Sequence, residues 1–281
     1  MGKDASSGTT WNRIGFYAFV ALFVLLALGP LIWVFKMSII TNGEITASTP
    51  TIIPQTPTLE HYQTIFSDPT FLRSILNSVI IAGLTTVICL SLGSLAAYAI
   101  ARLRFRFKSS FLTLILALAF FPAVAIIGPL FLIFSGTGII NTYASVIITD
   151  TVFALPLTVW LLVAFFKELP FDLEEAAKVD GASTLQAFWQ VIVPLSAPGV
   201  FTTAILTFIF AWNEFLFATT FLFDSSTQPV TVVIPSFAGI FTINYGAQAA
   251  AAIVVTIPLV ILVLLFQRRI VSGLTAGAVK G

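Results

Sequence analysis

The stretch Glu174–Gln190, EEAAKVDGASTLQAFWQ, decides how the rest of the chain is read. Glu174, Glu175, Lys178 and Asp180 crowd into its first seven residues. The chain around it has 281 residues and is 58% hydrophobic and only 9% charged. A soluble domain of this size is roughly half apolar and a quarter charged, so the chain as a whole reads as a membrane protein. The quoted stretch then reads as its water-facing exception. Upstream, Asp172 is placed to cap a helix, with Glu175 three residues on completing an Asp-x-x-Glu variant of the capping box. Asp180-Gly181 ends that helix, Gly181 suiting a left-handed position. Ser183 and Gln186 form a second capping box, opening a helix that runs through Phe188 and Trp189 to Pro194. Two short helices about a glycine hinge are predicted. Leu173, Ala176 and Ala177 give the first a small apolar face, and Leu185, Phe188 and Ile192 give the second a larger one. Isolated helices this short are marginal. The pair therefore rests either on its own protein or in a groove on another, and the residues alone leave both open.

Six windows on either side of this stretch are long and apolar enough to span a bilayer, at about 20 residues each. They are Ile14–Phe35, Val79–Ala101, Phe111–Phe134, Tyr143–Phe166, Gly199–Leu222 and Ala247–Phe266. A transmembrane barrel would instead show alternating segments of about ten residues. The first window, preceded by Lys3 and Arg13, is too long for a signal peptide and is read as an uncleaved anchor. Eleven of the 13 lysines and arginines fall on the side that holds both termini and the quoted stretch, and only Lys36 and Arg73 on the other. The positive-inside rule places that side in the cytoplasm. On the outer side, Asn42–Asp68 is Pro-rich, an extended connection with room for one short helix, and Asp224–Tyr245 contains no lysine or arginine. Small residues at Gly93, Ala97 and Ala101, and at Ala204, Ala211 and Ala218, mark candidate helix contacts. The expected architecture is all-α: one transmembrane domain over 1–281 with six spans, a cytoplasmic loop over about 168–198 and a cytoplasmic tail over about 267–281.

Several chemistries are excluded. Net charge is +1, which argues against nucleic acid. The single cysteine, Cys89, allows neither a disulfide framework nor a metal cluster. His61 is the only histidine, no H-E-x-x-H occurs, and no phosphate-binding G-x-x-x-x-G-K-[ST] is present. Neither a membrane enzyme nor direct nucleotide binding is expected. An ion-coupled carrier fits the spans but has no use for the capped helix pair.

Glu175-Ala176-Ala177, then Asp180-Gly181-Ala182, Phe188, Ile192, Pro194 and Pro198, resembles the EAA loop of bacterial ABC-importer permeases. Asn77-Ser78, Phe153–Pro156, Phe210–Glu214 and the ending Gln267–Gly281 resemble the sugar-uptake branch, in particular its maltose/trehalose-type second permease subunit. The resemblance covers nearly the whole chain. It implies a type I importer permease in the bacterial inner membrane. Its partners would be a sister permease, a cytoplasmic ABC ATPase dimer and an extracytoplasmic solute-binding protein. No cofactor or metal is expected on this chain; ATP and Mg would sit on the ATPase. The loop would be the coupling helix, with Glu174, Glu175, Ala176, Ala177, Asp180, Gly181, Ala182 and Phe188 as coupling positions. Glu175 either offers its carboxylate to the ATPase or serves only as a cap. The tail Gly277–Gly281 either reaches the ATPase or is a frayed end. The implied cargo is an α-linked disaccharide such as trehalose or maltose, with glycerol-phosphate, oligosaccharide and glucosylglycerol-like solutes as alternatives.

An ionised group near the bilayer centre costs on the order of 3 kcal/mol, so polar residues inside the spans are candidates for the cargo path. Asn213 and Glu214, beside Trp212, stand out, since amides and carboxylates suit hydroxyls and an aromatic face suits a sugar ring. They could equally pair with the sister subunit. Asp150, near the outer end of the fourth window, is read as interfacial.

Overall fold

The computed structural model describes residues 7–237 and 244–276, all helix, turn and loop with no strand among the described residues. Ten helices carry the argument: α1 Ser7–Ser38, α2 Pro69–Arg102, α3 Lys108–Leu118, α4 Ala123–Thr137, α5 Tyr143–Glu168, α6 Asp172–Val179, α7 Thr184–Ala187, α8 Ala197–Trp212, α9 Leu216–Phe221 and α10 Tyr245–Ala276. Four unbroken helices are long and apolar enough to cross a membrane, and two bent pairs bring the number to six if each pair is one span.

Breaks in the helices correct two of the predicted windows. The window Phe111–Phe134 is not one helix: α3 and α4 meet at 84°. Proline has no N–H and disfavours helix in the residue before it, so the chain breaks ahead of Pro122. The window Gly199–Leu222 is divided as well. Residues Thr184–Leu195 turn 79° into α8, and α8 stops at Trp212, ahead of α9. At 1.5 Å per residue, the 16 residues of α8 reach about 24 Å, short of a full hydrocarbon core.

The chain divides into two compact units, Met1–Asp68 with Ser236–Val254, and Pro69–Pro235 with Val255–Gly281. In the first, the apolar window of α1 is not buried within the chain. The connection over Asn42–Asp68 holds two short helices, Asn42–Ile45 and Glu60–Ser67, where the sequence suggested room for one. Glu44 clasps it, accepting from the Thr51 hydroxyl at 2.5 Å, the Thr56 hydroxyl at 2.7 Å and the Thr56 N–H at 2.8 Å. Those hydroxyls, with the Thr56 and Gln55 amides, hold its carboxyl down at about 2.

In the second unit, α2, α5 and α8 form the packed centre. A Cβ on Gly93 would lie 2.9 Å from Thr158 Cγ2, so the glycine allows α2 and α5 to approach. Ala97 and Ala101 continue that face against Val159, Leu162, Val163 and Phe166. The Thr158 and Thr207 hydroxyls meet at 3.0 Å and join α5 to α8. The Ala204, Ala211, Ala218 series is not one face, because the helix breaks between its last two members. Asn77-Ser78 organises the end of the bundle at the start of α2. The Asn77 amide donates to the carbonyls of Ser226 (3.0 Å) and Gln228 (2.8 Å), and its oxygen accepts from the Tyr143 hydroxyl (2.7 Å). Ser78 Oγ accepts from the Val230 N–H at 2.9 Å.

Candidate functional site

The helix pair predicted from the quoted stretch forms, with a different start. α6 begins at Asp172 itself, its N-cap is Phe171, and no side chain caps it. The Asp172–Glu175 box is therefore absent: Phe171 already has helical backbone angles and its carbonyl accepts from the amides of Glu174 (3.0 Å) and Glu175 (3.1 Å). The second box does form. Gln186 Oε1 accepts from the Ser183 N–H at 2.8 Å, and Ser183 Oγ from the Gln186 N–H at 3.3 Å. Gly181 takes φ +93°, the left-handed region in which an L side chain is strained. After Ala187 the chain widens into a π turn, Phe188–Ile192, and passes Pro194 before ending at Leu195.

The apolar faces fall out otherwise than the pattern suggests. Phe188 and Ile192 are fully buried in a cluster with Tyr98, Val163 and Phe166, but Leu185 is 58% exposed and Ala187 takes its place inside. The Phe188 ring lies 4.9 Å from Tyr98 and 6.3 Å from Phe166, centroid to centroid. On α6, neither Leu173 nor Ala176 is buried, Ala177 is half-buried, and Val179 is 87% exposed. The one buried residue of α6 is Glu174, at 4%.

A carboxylate is tolerated there because its partners are already in place. Tyr98 Oη donates to Glu174 Oε1 at 2.7 Å, and Lys178, one turn on, donates to the same oxygen at 2.7 Å. The Arg102 guanidinium, whose side chain is fully buried, stands 3.8 Å from Oε2. It also donates to the Pro170 carbonyl at 3.3 Å and lies 4.4 Å over the Phe171 ring. Burial pushes the Glu174 carboxyl up, but the Lys178 and Tyr98 hydrogen bonds and the charges of Lys178 and Arg102 outweigh it and hold it below the usual range. Glu174 is accordingly ionised at neutral pH. Nothing in residues 168–198 announces Tyr98 or Arg102 as its partners. Both sit 70 or more residues upstream, at the C-terminal end of α2.

The candidates inside the spans separate. Glu214 lies in the break between α8 and α9, and its carboxylate accepts from the amides of Phe217 (2.6 Å) and Ala218 (2.8 Å), capping α9. Asn213 is exposed and donates to the Ile209 carbonyl at 2.7 Å. Trp212 is buried against Phe208, ring centroids 5.5 Å apart. Asp150 is wholly buried, two turns inside α5, and neither carboxylate oxygen has a hydrogen-bond partner. Its expected interfacial position is thus replaced by an interior one, because this face of α5 turns into the bundle. Asn141, unremarked in the sequence, adopts φ +61°. Its side-chain oxygen accepts from the amides of Phe223 (2.8 Å) and Asp224 (3.0 Å). The Lys3, Arg268, Arg269 and Lys280 side chains, and the tail Gly277–Gly281, lie outside the described residues.

A loop seated on a bundle of this topology can be compared with known proteins. Residues 89–275 match the family described as binding-protein-dependent transport system inner membrane component. This chain belongs to that family. The permease is 45% identical over 262 residues to the trehalose transport system permease protein of Mycobacterium tuberculosis, covering 92% of this chain and 95% of the relative. It is 42% identical to the trehalose/maltose transport system permease protein of Thermococcus litoralis, over 92% and 94% of the two chains. It is 40% identical to the sulfoquinovosyl glycerol transport system permease protein of Agrobacterium fabrum, over 94% and 93%. In fold it is similar to a chain of the bacterial ABC transporter that imports alginate, with a TM-score of 0.81 at 23% identity, covering 95% of this chain and 99% of that one. The permease is a transport subunit of the inner membrane and not itself an enzyme.

Proposed function

We propose that this permease is one of two membrane subunits of an ATP-driven importer, and that α6 and α7 couple it to a cytoplasmic ATPase. The observation that carries this reading is the two-sided geometry of the helix pair. One side is fastened to α2 and α5 through Phe188 and Glu174. The other presents Glu175, Ala176, Val179 and Asp180 to solvent. Since α6 starts without a side-chain cap, Glu175 is free of the alternative role of closing a box. It would offer a carboxylate to the ATPase while Ala176, Ala177 and Ala182 allow close approach, and Gly181 sets the angle to α7. ATP and Mg belong on that ATPase, both termini lie in the cytoplasm, and an external solute-binding protein delivers the cargo.

The cargo is a carbohydrate, with trehalose or maltose first on the strength of the named relatives. The sulfoquinovosyl glycerol relative favours a second reading, a glycoside of glycerol. In the cargo path, the exposed Asn213 amide is the better candidate. Glu214 and Trp212 are committed to capping and packing in this conformation.

Uptake of labelled trehalose, maltose, sucrose and glycerol-phosphate by the native host, with and without this gene, tests the cargo. Loss of one of the first two is expected, and unchanged uptake of all four would withdraw the disaccharide assignment. For the coupling role, Glu175→Lys and Gly181→Trp should insert normally yet transport little. The second forces a bulky residue to a positive φ at a cost of about 1–2 kcal/mol. Normal uptake by both variants at normal membrane abundance would remove the coupling role from this loop.

A further inference from the structure

α6 is built inside out: an eight-residue helix whose apolar residues are exposed, save the half-buried Ala177, and whose single buried side chain is a carboxylate. Phe188 and Ile192 anchor the segment beyond the hinge, and α6 rests on that segment. To α2 itself, α6 is fastened by Glu174. The contact is directional where an apolar one would not be, since the hydrogen bond from Tyr98 and the charge pair with Arg102 fix rotation as well as position. Its partners on the bundle come from one place, the last turn and a half of α2, where Tyr98, which donates to Oε1, and Arg102, which pairs with Oε2, stand four residues apart on the same face. Arg102 additionally grips the entry to α6 through the Pro170 carbonyl and the Phe171 ring.

We propose that Glu174 is a positioning residue that bolts α6 to the cytoplasmic end of α2, so that a displacement of the loop is delivered to α2 as a rigid movement. This rests on the coupling role proposed above and reassigns Glu174 within it: the carboxylate faces its own bundle, and the ATPase meets Glu175 instead. Without the bolt, α6 is free to pivot between Leu169-Pro170 and Gly181, and a push from the ATPase is spent in the hinge.

The test uses the complete importer in vesicles, with Tyr98→Phe, Glu174→Gln and Arg102→Met in the permease. Three quantities are read: ATPase captured by the tagged permease, ATP hydrolysed, and sugar taken up. The bolt predicts near-normal capture, uptake reduced about ten-fold in Glu174→Gln, and a matching rise in ATP consumed per sugar, a typical size for coupling between sites. Tyr98→Phe, which removes one oxygen, should move the same ratio by a smaller factor and add nothing on top of Glu174→Gln, as expected for two members of one contact. If Glu174→Gln alone loses capture while Tyr98→Phe and Arg102→Met keep it, Glu174 touches the ATPase and the bolt is wrong. An unchanged ratio in all three variants overturns it too, as does a Tyr98→Phe protein that fails to accumulate, since the contact would then serve stability only. Failure of the wild-type permease to capture any ATPase would instead sink the coupling reading, and this inference with it.

Discussion

Phe188→Ala is expected to abolish uptake while the permease still accumulates in the membrane. The ring is fully buried between Tyr98 and Phe166, and it is the largest side chain that seats the helix pair on the bundle. Truncating such a residue costs about 3–5 kcal/mol, the lost transfer energy plus the void left behind. That cost falls on docking of residues 172–195, because α2 and α5 pack on each other independently through Gly93, Ala97 and Val159. The loop should become sensitive to limited trypsin digestion at Lys178, and Phe188→Leu should restore most of the protection by refilling the site. A Phe188→Ala protein that resists trypsin and transports like the wild type would show that the loop is held by other means.

Gly199→Leu is expected to have the second large effect, this time on the fold. Gly199 lies at the start of α8, just past the 79° turn, and the Phe165 ring of α5 occupies the space a side chain would need. Overpacking of a filled contact costs typically about 1–3 kcal/mol, and more where neither backbone yields. Lower membrane abundance and a lower melting temperature in detergent should follow. Phe165→Ala in the same chain should recover part of both, a coupling that non-neighbouring sites do not show. Wild-type melting of Gly199→Leu would mean that α8 sits further from α5 than the structure places it.

Both effects bear on how the importer family's architecture is realised in this chain. The helix pair is held by one apolar plug, Phe188, and one polar bolt, Glu174, on opposite sides of the Gly181 hinge. This division leaves the exposed face of α6, including Val179, open to another protein. Glu214 illustrates a similar economy between α8 and α9. A carboxylate that looks like a cargo ligand in the sequence closes a helix start that the break after Trp212 leaves open. Asn77 and Asn141 hold the loop after α9 by the same means, with side-chain amides satisfying backbone groups that no regular helix covers.

The sequence alone determined that the chain carries helices long and apolar enough to cross a membrane, where its charged helix pair lies, where that pair turns at Gly181, and that Ser183 and Gln186 cap its second half. Each of these rests on local physics, either hydropathy summed over about 20 residues or backbone preference within one turn. Only the tertiary structure decided that Glu174 points inward and Leu185 outward, that Asp150 lies inside the bundle, and that two of the six windows are interrupted. A buried charge is permitted by its partners, and those of Glu174 stand on another helix, 76 residues away in the case of Tyr98. Periodicity assigns a carboxylate to the solvent side unless a hydroxyl and a guanidinium are waiting for it, and that information resides in the packing of α2 beneath α6.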